Sequence, residues 1–576
     1  MKKIALAIAL LLHMHTFAQN PPTIEAEQPK WWKEAIVYQI YPRSFKDSDG
    51  DGIGDLKGII SELDYIKSLG VNTIWLNPIY TSPNDDNGYD VSDYTNIMKD
   101  FGTMADFDML LKAMHQKGLK LVMDLVVNHS SDEHKWFQES KKSRTNPYRD
   151  YYHWWPAENG KPPYRYSLFD INHDAWKYDS TTNSYYLHYF SAKQPDLKWE
   201  NKQLRQEVYN IMHFWAQKGI DGFRLDAFQF AAKDTTYPAF PKGYEKNFVQ
   251  YYGMQGNLHG YLQEMYYEVL SKYNVMSVAE GAGNTFEDAH NLVDADRKEL
   301  NMAYAFEAVD LATHKGYRLT DLKNVFAKWD SAFAEKGWLS IFLASHDCAR
   351  LVSRYGNDKE PFRKASSKLL STLLLTLRGT PYYYNGDELG MKNIRFSSID
   401  SYRDVQTING FVYEKNNGGN VQAYLDQKAE TSRDNARTPF QWNANANAGF
   451  TTGTPWIAVN PDYKQWNRAA QEADATSTLH YFRKLTALRQ QNPLLVYGKF
   501  TLVDKSNSNV FAYTREWKGE KWLIALNFSE QVSNCLLPFA VTNSQVLLNN
   551  LPTEPRLGTH SINLDAYQAV ILKLPR

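Results

Sequence analysis

The residues best suited to chemistry are Arg224 and Asp226, two apart in the run Gly222-Phe-Arg-Leu-Asp226. In an extended strand residues i and i+2 share a face, so a guanidinium and a carboxylate are held side by side. A permanent cation stabilises the charged form of its neighbour, which predicts an ionised Asp226 ready for nucleophilic attack. An ordinary buried ion pair would look the same in this run alone. The company it keeps separates the two readings. Asp124 with Asn128 and His129, Glu280, His346 with Asp347, and Asn385 all fall at or just beyond the ends of strand-like apolar runs.

Those runs cover residues 35–41, 71–77, 119–127, 219–228, 275–280, 302–306, 339–345 and 380–384, with helical periodicity over 56–69 and 104–117. Strands alternating with helices predict a parallel sheet, and eight such units predict an α/β fold, a closed (β/α)8 TIM barrel spanning 31–493. The carboxyl ends of its strands converge on one face, and that face carries the chemistry. Residues 130–194, rich in Tyr, Trp, His and Asn, read as a subdomain inserted after strand three that walls one side of the site. A second excursion, about 386–470, follows strand eight. Over 494–576 short apolar runs separated by turn residues predict an antiparallel β-sandwich.

Asp47, Asp49, Asp51 and Asp55 alternate with small residues, with Gly52 at the sixth position. This matches the first nine positions of a calcium loop, adding the Ile53 carbonyl as a ligand, and predicts a structural Ca2+. Four like charges in nine residues repel one another without a cation. Gly58 stands where a bidentate Glu is usual, so water or another segment completes the shell.

The 576 residues carry a formal net charge of -1, which provides no global field for nucleic acid or an anionic membrane. Aromatic residues make up 14%, suited to flat, partly apolar ligands such as sugars. Residues 1–18 combine a basic start, a short apolar run and small residues before Gln19. They read as a signal peptide and predict export to the periplasm or beyond. No later run is long enough to span a bilayer. Two cysteines, Cys348 and Cys535, make no disulfide framework.

Taken together, Asp124-Leu-Val-Val-Asn-His129, Gly222-Phe-Arg-Leu-Asp226, Glu280 and Ser345-His-Asp347 resemble the α-amylase superfamily, glycoside hydrolase family thirteen. Gln194-Pro-Asp-Leu197, Gly50-Asp-Gly-Ile-Gly-Asp-Leu56 and 379–391 extend the resemblance to its oligo-1,6-glucosidase and α-glucosidase branch. The resemblance implies Asp226 as nucleophile, Glu280 as general acid/base and Asp347 as transition-state stabiliser, acting on a small oligosaccharide. A retaining glycosidase needs two carboxyl groups about 5–5.5 Å apart, which neighbouring strand ends supply. Glu280, between Ala279 and Gly281 with no cation adjacent in sequence, is expected to hold its proton.

His129 and His346 are expected to donate to sugar hydroxyls. Asp86, in Asp86-Asn-Gly-Tyr89, would pair with Arg437 to close the pocket behind a terminal glucose, with Tyr89, Phe190 and Gln194 around it. The resulting enzyme is exo-acting and expected to be a monomer. Ala227, small where Val accompanies α-1,6 preference in this branch, leads to an expected α-1,4 preference for maltose and maltooligosaccharides. Oligo-1,6-glucosidase, trehalose- or sucrose-active hydrolase and transglycosylase are the alternatives. An inactive sugar-binding module would lack one of the three acids, and all are present.

Overall fold

A computed structural model describes residues 25–313 and 316–575. The expected signal peptide lies outside the described residues. Eight parallel strands close a barrel: β1 (Val37–Ile40), β2 (Thr73–Leu76), β3 (Lys120–Val126), β4 (Gly222–Asp226), β5 (Met276–Ala279), β6 (Met302–Tyr304), β7 (Leu339–Ile341) and β8 (Thr380–Tyr384). Each coincides with an expected apolar run. The helix expected over 56–69 is two, Leu56–Ser61 and Leu63–Ser68, meeting at Glu62.

Alternation sends Val37, Trp75, Val122, Val278, Met302 and Tyr382 into one buried cluster. That is the packed interior of a barrel, which leaves the chemistry to its rim. Two glycines make the approach to β4. Gly219, at φ +100°, ends the helix Lys202–Lys218 in the left-handed conformation that a side chain disfavours. Gly222 opens the strand where an added Cβ would sit 2.7 Å from the Met276 carbonyl oxygen. Only a bare backbone allows β4 and β5 to approach there.

The insertion after β3 carries an antiparallel three-stranded sheet, with Ser184–Leu187 between Trp154–Pro156 and Trp176–Asp179. The excursion after β8 contains helices over Val405–Asn416, Val421–Thr431 and Asp434–Arg437. Residues 499–573 form five- and three-stranded antiparallel sheets, in a sandwich-like arrangement. Among the described residues no helix is long and apolar enough to cross a membrane.

Candidate active site

Strand register brings the acids together. Leu225 of β4 pairs with Ala279 of β5, so the next residues, Asp226 and Glu280, emerge side by side at the carboxyl ends. Neighbouring strands lie about 4.8 Å apart, close to the separation a double displacement requires. On the other side Arg224 pairs with Asp124 of β3.

Arg224 is 1% exposed and is the first of two arginine hubs. Nη1 donates to Asp124 (2.7 Å) and to Asp226, and Nη2 contacts Glu280. The guanidinium lies over the Trp75 ring at 5.0 Å. No cation flanks Glu280 in sequence, but one does in space: sequence neighbours are silent about a side chain from the adjacent strand. Glu280 nevertheless keeps a raised pKa, about 8, because burial outweighs Arg224, with Asp226 and Asp347 adding like charge. Asp226 is raised as well, by burial and by Asp124, against the pull of Arg224. One cation shared among three carboxylates does not ionise them all, which corrects the view of Arg224 as a private partner of Asp226.

The second hub is Arg433. It donates to Asp86 (3.0 Å), Asp347 (3.1 Å) and Asp404 (2.6 Å). The expected Asp86–Arg437 pair is replaced by Asp86–Arg433. Arg437, one helical turn further on, donates to the His346 carbonyl and to Asp347 (3.2 Å). Burial alone would raise the Asp347 carboxyl, but His346, Arg433 and Arg437 hold it well below the carboxylate range.

Asp86, Tyr89, His129, Phe190, Asp226, Glu280, His346 and Asp347 all line one cavity of about 200 Å3. Gln194 stands behind Asp86, donating to it (3.2 Å), and Arg224 and Arg437 are buried around the same rim. Ala227, expected to meet the substrate through its size, lines the cavity too, and three lining residues were not expected: Phe169, Gln406 and Arg433. Phe169 lies in the irregular stretch 166–174, under the Arg433 guanidinium at 4.7 Å. The usable signal for Arg433 was its spacing of four from Arg437, which gives two arginines one helix face.

The histidines differ. His129 has its Nε2 3.0 Å from the Tyr89 carbonyl, which only an N–H can satisfy, and its Nδ1 receives the Asn128 amide. No ring nitrogen is left over for a sugar, contrary to expectation. His346 receives the Gln39 amide at Nδ1 (2.8 Å), leaving the proton on Nε2, 3.0 Å from Asp347. Burial lowers both to about 4, so both are neutral at pH 7.

Ala227 adopts φ +44°, ψ +21°, and its N–H donates to Glu280 Oε2 at 2.8 Å. With Phe190 and Glu280 it borders both the small cavity and a second cleft of about 760 Å3.

In the first loop, Asp47, Asp49 and Asp55 present carboxylate oxygens within 4.8 Å of one another, a group able to hold a metal ion. Asp47 and Asp55 are buried and Asp49 is exposed. Asp51 is not in that group; its carboxylate receives the Ile53 N–H at 2.7 Å. Asp47 also accepts the amides of Asp49, Gly50 and Gly52 and the hydroxyl of Thr451.

Residues 39–498 match the α-amylase catalytic domain and 500–571 the maltogenic amylase C-terminal domain. The chain belongs to the α-amylase superfamily, glycoside hydrolase family thirteen. It is 47% identical to the oligo-1,6-glucosidase of Parageobacillus thermoglucosidasius over 94% of this chain and 99% of that one. The isomaltulose synthase SmuA of Protaminobacter rubrum superposes with a TM-score of 0.92 at 41% identity, over 95% of this chain and 100% of that one. A mutant isomaltulose synthase from Erwinia rhapontici NX5, solved with its natural substrate sucrose, matches with the same figures.

These relatives overturn the α-1,4 expectation. The inference rested on the size of Ala227 alone, whose methyl is a small part of the wall it shares with the large cleft. One methyl changes discrimination by only about 1–3 kcal/mol.

Proposed function

We propose that the protein is a retaining exo-acting glucosidase that releases glucose from short α-1,6-linked glucosides such as isomaltose. The observation that carries this is the register-matched pair Asp226 and Glu280, opening onto a one-sugar cavity closed behind by Asp86, Arg433 and Asp347. The high identity to oligo-1,6-glucosidases supports the linkage. A terminal glucose fills the small cavity, and the leaving sugar lies in the larger cleft beyond Glu280.

Asp226 attacks the anomeric carbon while Glu280 passes its proton to the glycosidic oxygen, giving a glucosyl ester on Asp226. The Glu280 carboxylate then takes a proton from water, which attacks the same carbon and restores the original anomer. Asp347, ionised between two arginines and 3.0 Å from the His346 Nε2–H, faces the sugar and favours the oxocarbenium-like transition state. Arg224 positions both reacting acids. Initial rates on isomaltose, sucrose, maltose and trehalose test the assignment, together with NMR of the first anomer released. Isomaltose should lead and α-glucose should appear first. A clear preference for maltose, or release of β-glucose, refutes it.

A second reading is suggested by the solved relatives: sucrose isomerisation, in which the departing sugar stays in the cleft and is re-glucosylated at another hydroxyl. Conversion of sucrose mainly to isomers rather than free hexoses would favour it.

The loop Asp47–Asp55 we assign to Ca2+, since three hard carboxylates suit a hard cation, with the Ile53 carbonyl as a further ligand. Chelation with EDTA should lower Tm, and added Ca2+ should restore it in the parent but not in Asp49→Asn. Residues 1–18 we assign to export.

A further inference from the structure

We infer that an aromatic basin beside the catalytic cleft binds the distal sugar of a longer oligosaccharide, an extension that rests on the glucosidase reading above. Three separate segments build it: Tyr164, Tyr166 and His173 from the insertion, Tyr244 and Glu245 from the β4–β5 connection, and Tyr413 from the helix Val405–Asn416. They enclose about 500 Å3, more than the cavity that holds the reacting acids.

The rings are fixed in advance. Tyr164, though 46% exposed, donates its hydroxyl to the His173 carbonyl at 2.9 Å. The Tyr166 N–H donates to the Tyr244 hydroxyl at 2.6 Å. His173 stacks on Tyr166 at 5.3 Å and meets Tyr413 at 4.7 Å. Rigid amphipathic rings are the surface that a sugar needs, with C–H faces against the rings and hydroxyls at their polar edges.

Continuity gives the basin its occupant. Glu245 lines both it and the cleft of about 760 Å3, and that cleft reaches Glu280. A chain whose first unit reacts at Asp226 runs through the cleft and places a later unit in the basin.

The test is kcat/KM across 4-nitrophenyl α-glucoside, isomaltose and isomaltotetraose. The parent should favour the tetraose over the disaccharide. Tyr164→Ala should cut the tetraose value about five- to tenfold and leave the two short substrates unchanged, with Tyr164→Phe restoring it. Tyr413→Ala, on a different element, should act in the same way. Equal loss on all three substrates, or undiminished tetraose turnover in both alanine variants, overturns the proposal. If the parent cleaves none of them, the glucosidase reading falls instead. Calorimetry with isomaltotetraose then decides the basin: weaker binding by Tyr164→Ala supports it, and equal binding rejects it.

Discussion

Glu280 and Asp226 touch the same guanidinium, yet the proposed double displacement requires them to hold different numbers of protons in its first step. Burial drives both carboxyls up, and Glu280, at about 8, keeps its proton at neutral pH. The acid is competent only when protonated, so the rate is lost as pH rises through that value. The nucleophile is competent only when ionised, so the rate is also lost on the acid side, at a pH above the ordinary carboxylate range. The pH profile of kcat/KM should therefore be a bell with its basic limb near 8. Glu280→Gln should lower kcat on isomaltose by roughly 10²–10⁴-fold and erase that basic limb. A limb that survives unchanged belongs to another group.

At the scale of elements, the pocket depends on one turn of helix and one strand contact. Arg433 immediately precedes the helix Asp434–Arg437 and donates to three carboxylates from three other segments. Arg433→Met leaves buried Asp86 and Asp404 short of a cation, at a cost of about 3–5 kcal/mol. A lower Tm and a raised KM for isomaltose should report it. Gly222→Ala forces a methyl against the Met276 carbonyl and should destabilise by about 1–3 kcal/mol on denaturant unfolding. Because that contact sets the β4–β5 spacing, kcat should fall with it.

At the scale of the whole molecule, the C-terminal sheets are fastened to the barrel by buried cations that find carbonyls rather than acids. Lys323, on the helix Leu319–Ala332, donates to the carbonyls of Asp504, Asn507 and Val510 at 2.8–2.9 Å. Arg515 donates to the carbonyls of Thr376 and Leu495. Lys323→Met strands three carbonyls and should cost about 3 kcal/mol in chemical unfolding while leaving KM unchanged. Loss of activity without loss of stability would contradict a purely fastening role.

The barrel, the ends of its strands and the acids carried there could all be read from the order of residues along the chain. Those features are written in local order: period-two burial within a strand, and side chains two apart on one face. Arg224 and Asp226 could be read as neighbours because only one residue separates them. Tertiary structure decided what no local pattern holds. Cross-strand register put Arg224 against Glu280, the helical excursion after β8 offered Arg433 rather than Arg437 to Asp86, and burial raised the carboxyls that a neighbouring cation alone would have lowered. Each joins residues dozens to hundreds apart in a medium of low polarity, where position in space, and not order along the chain, sets the energy.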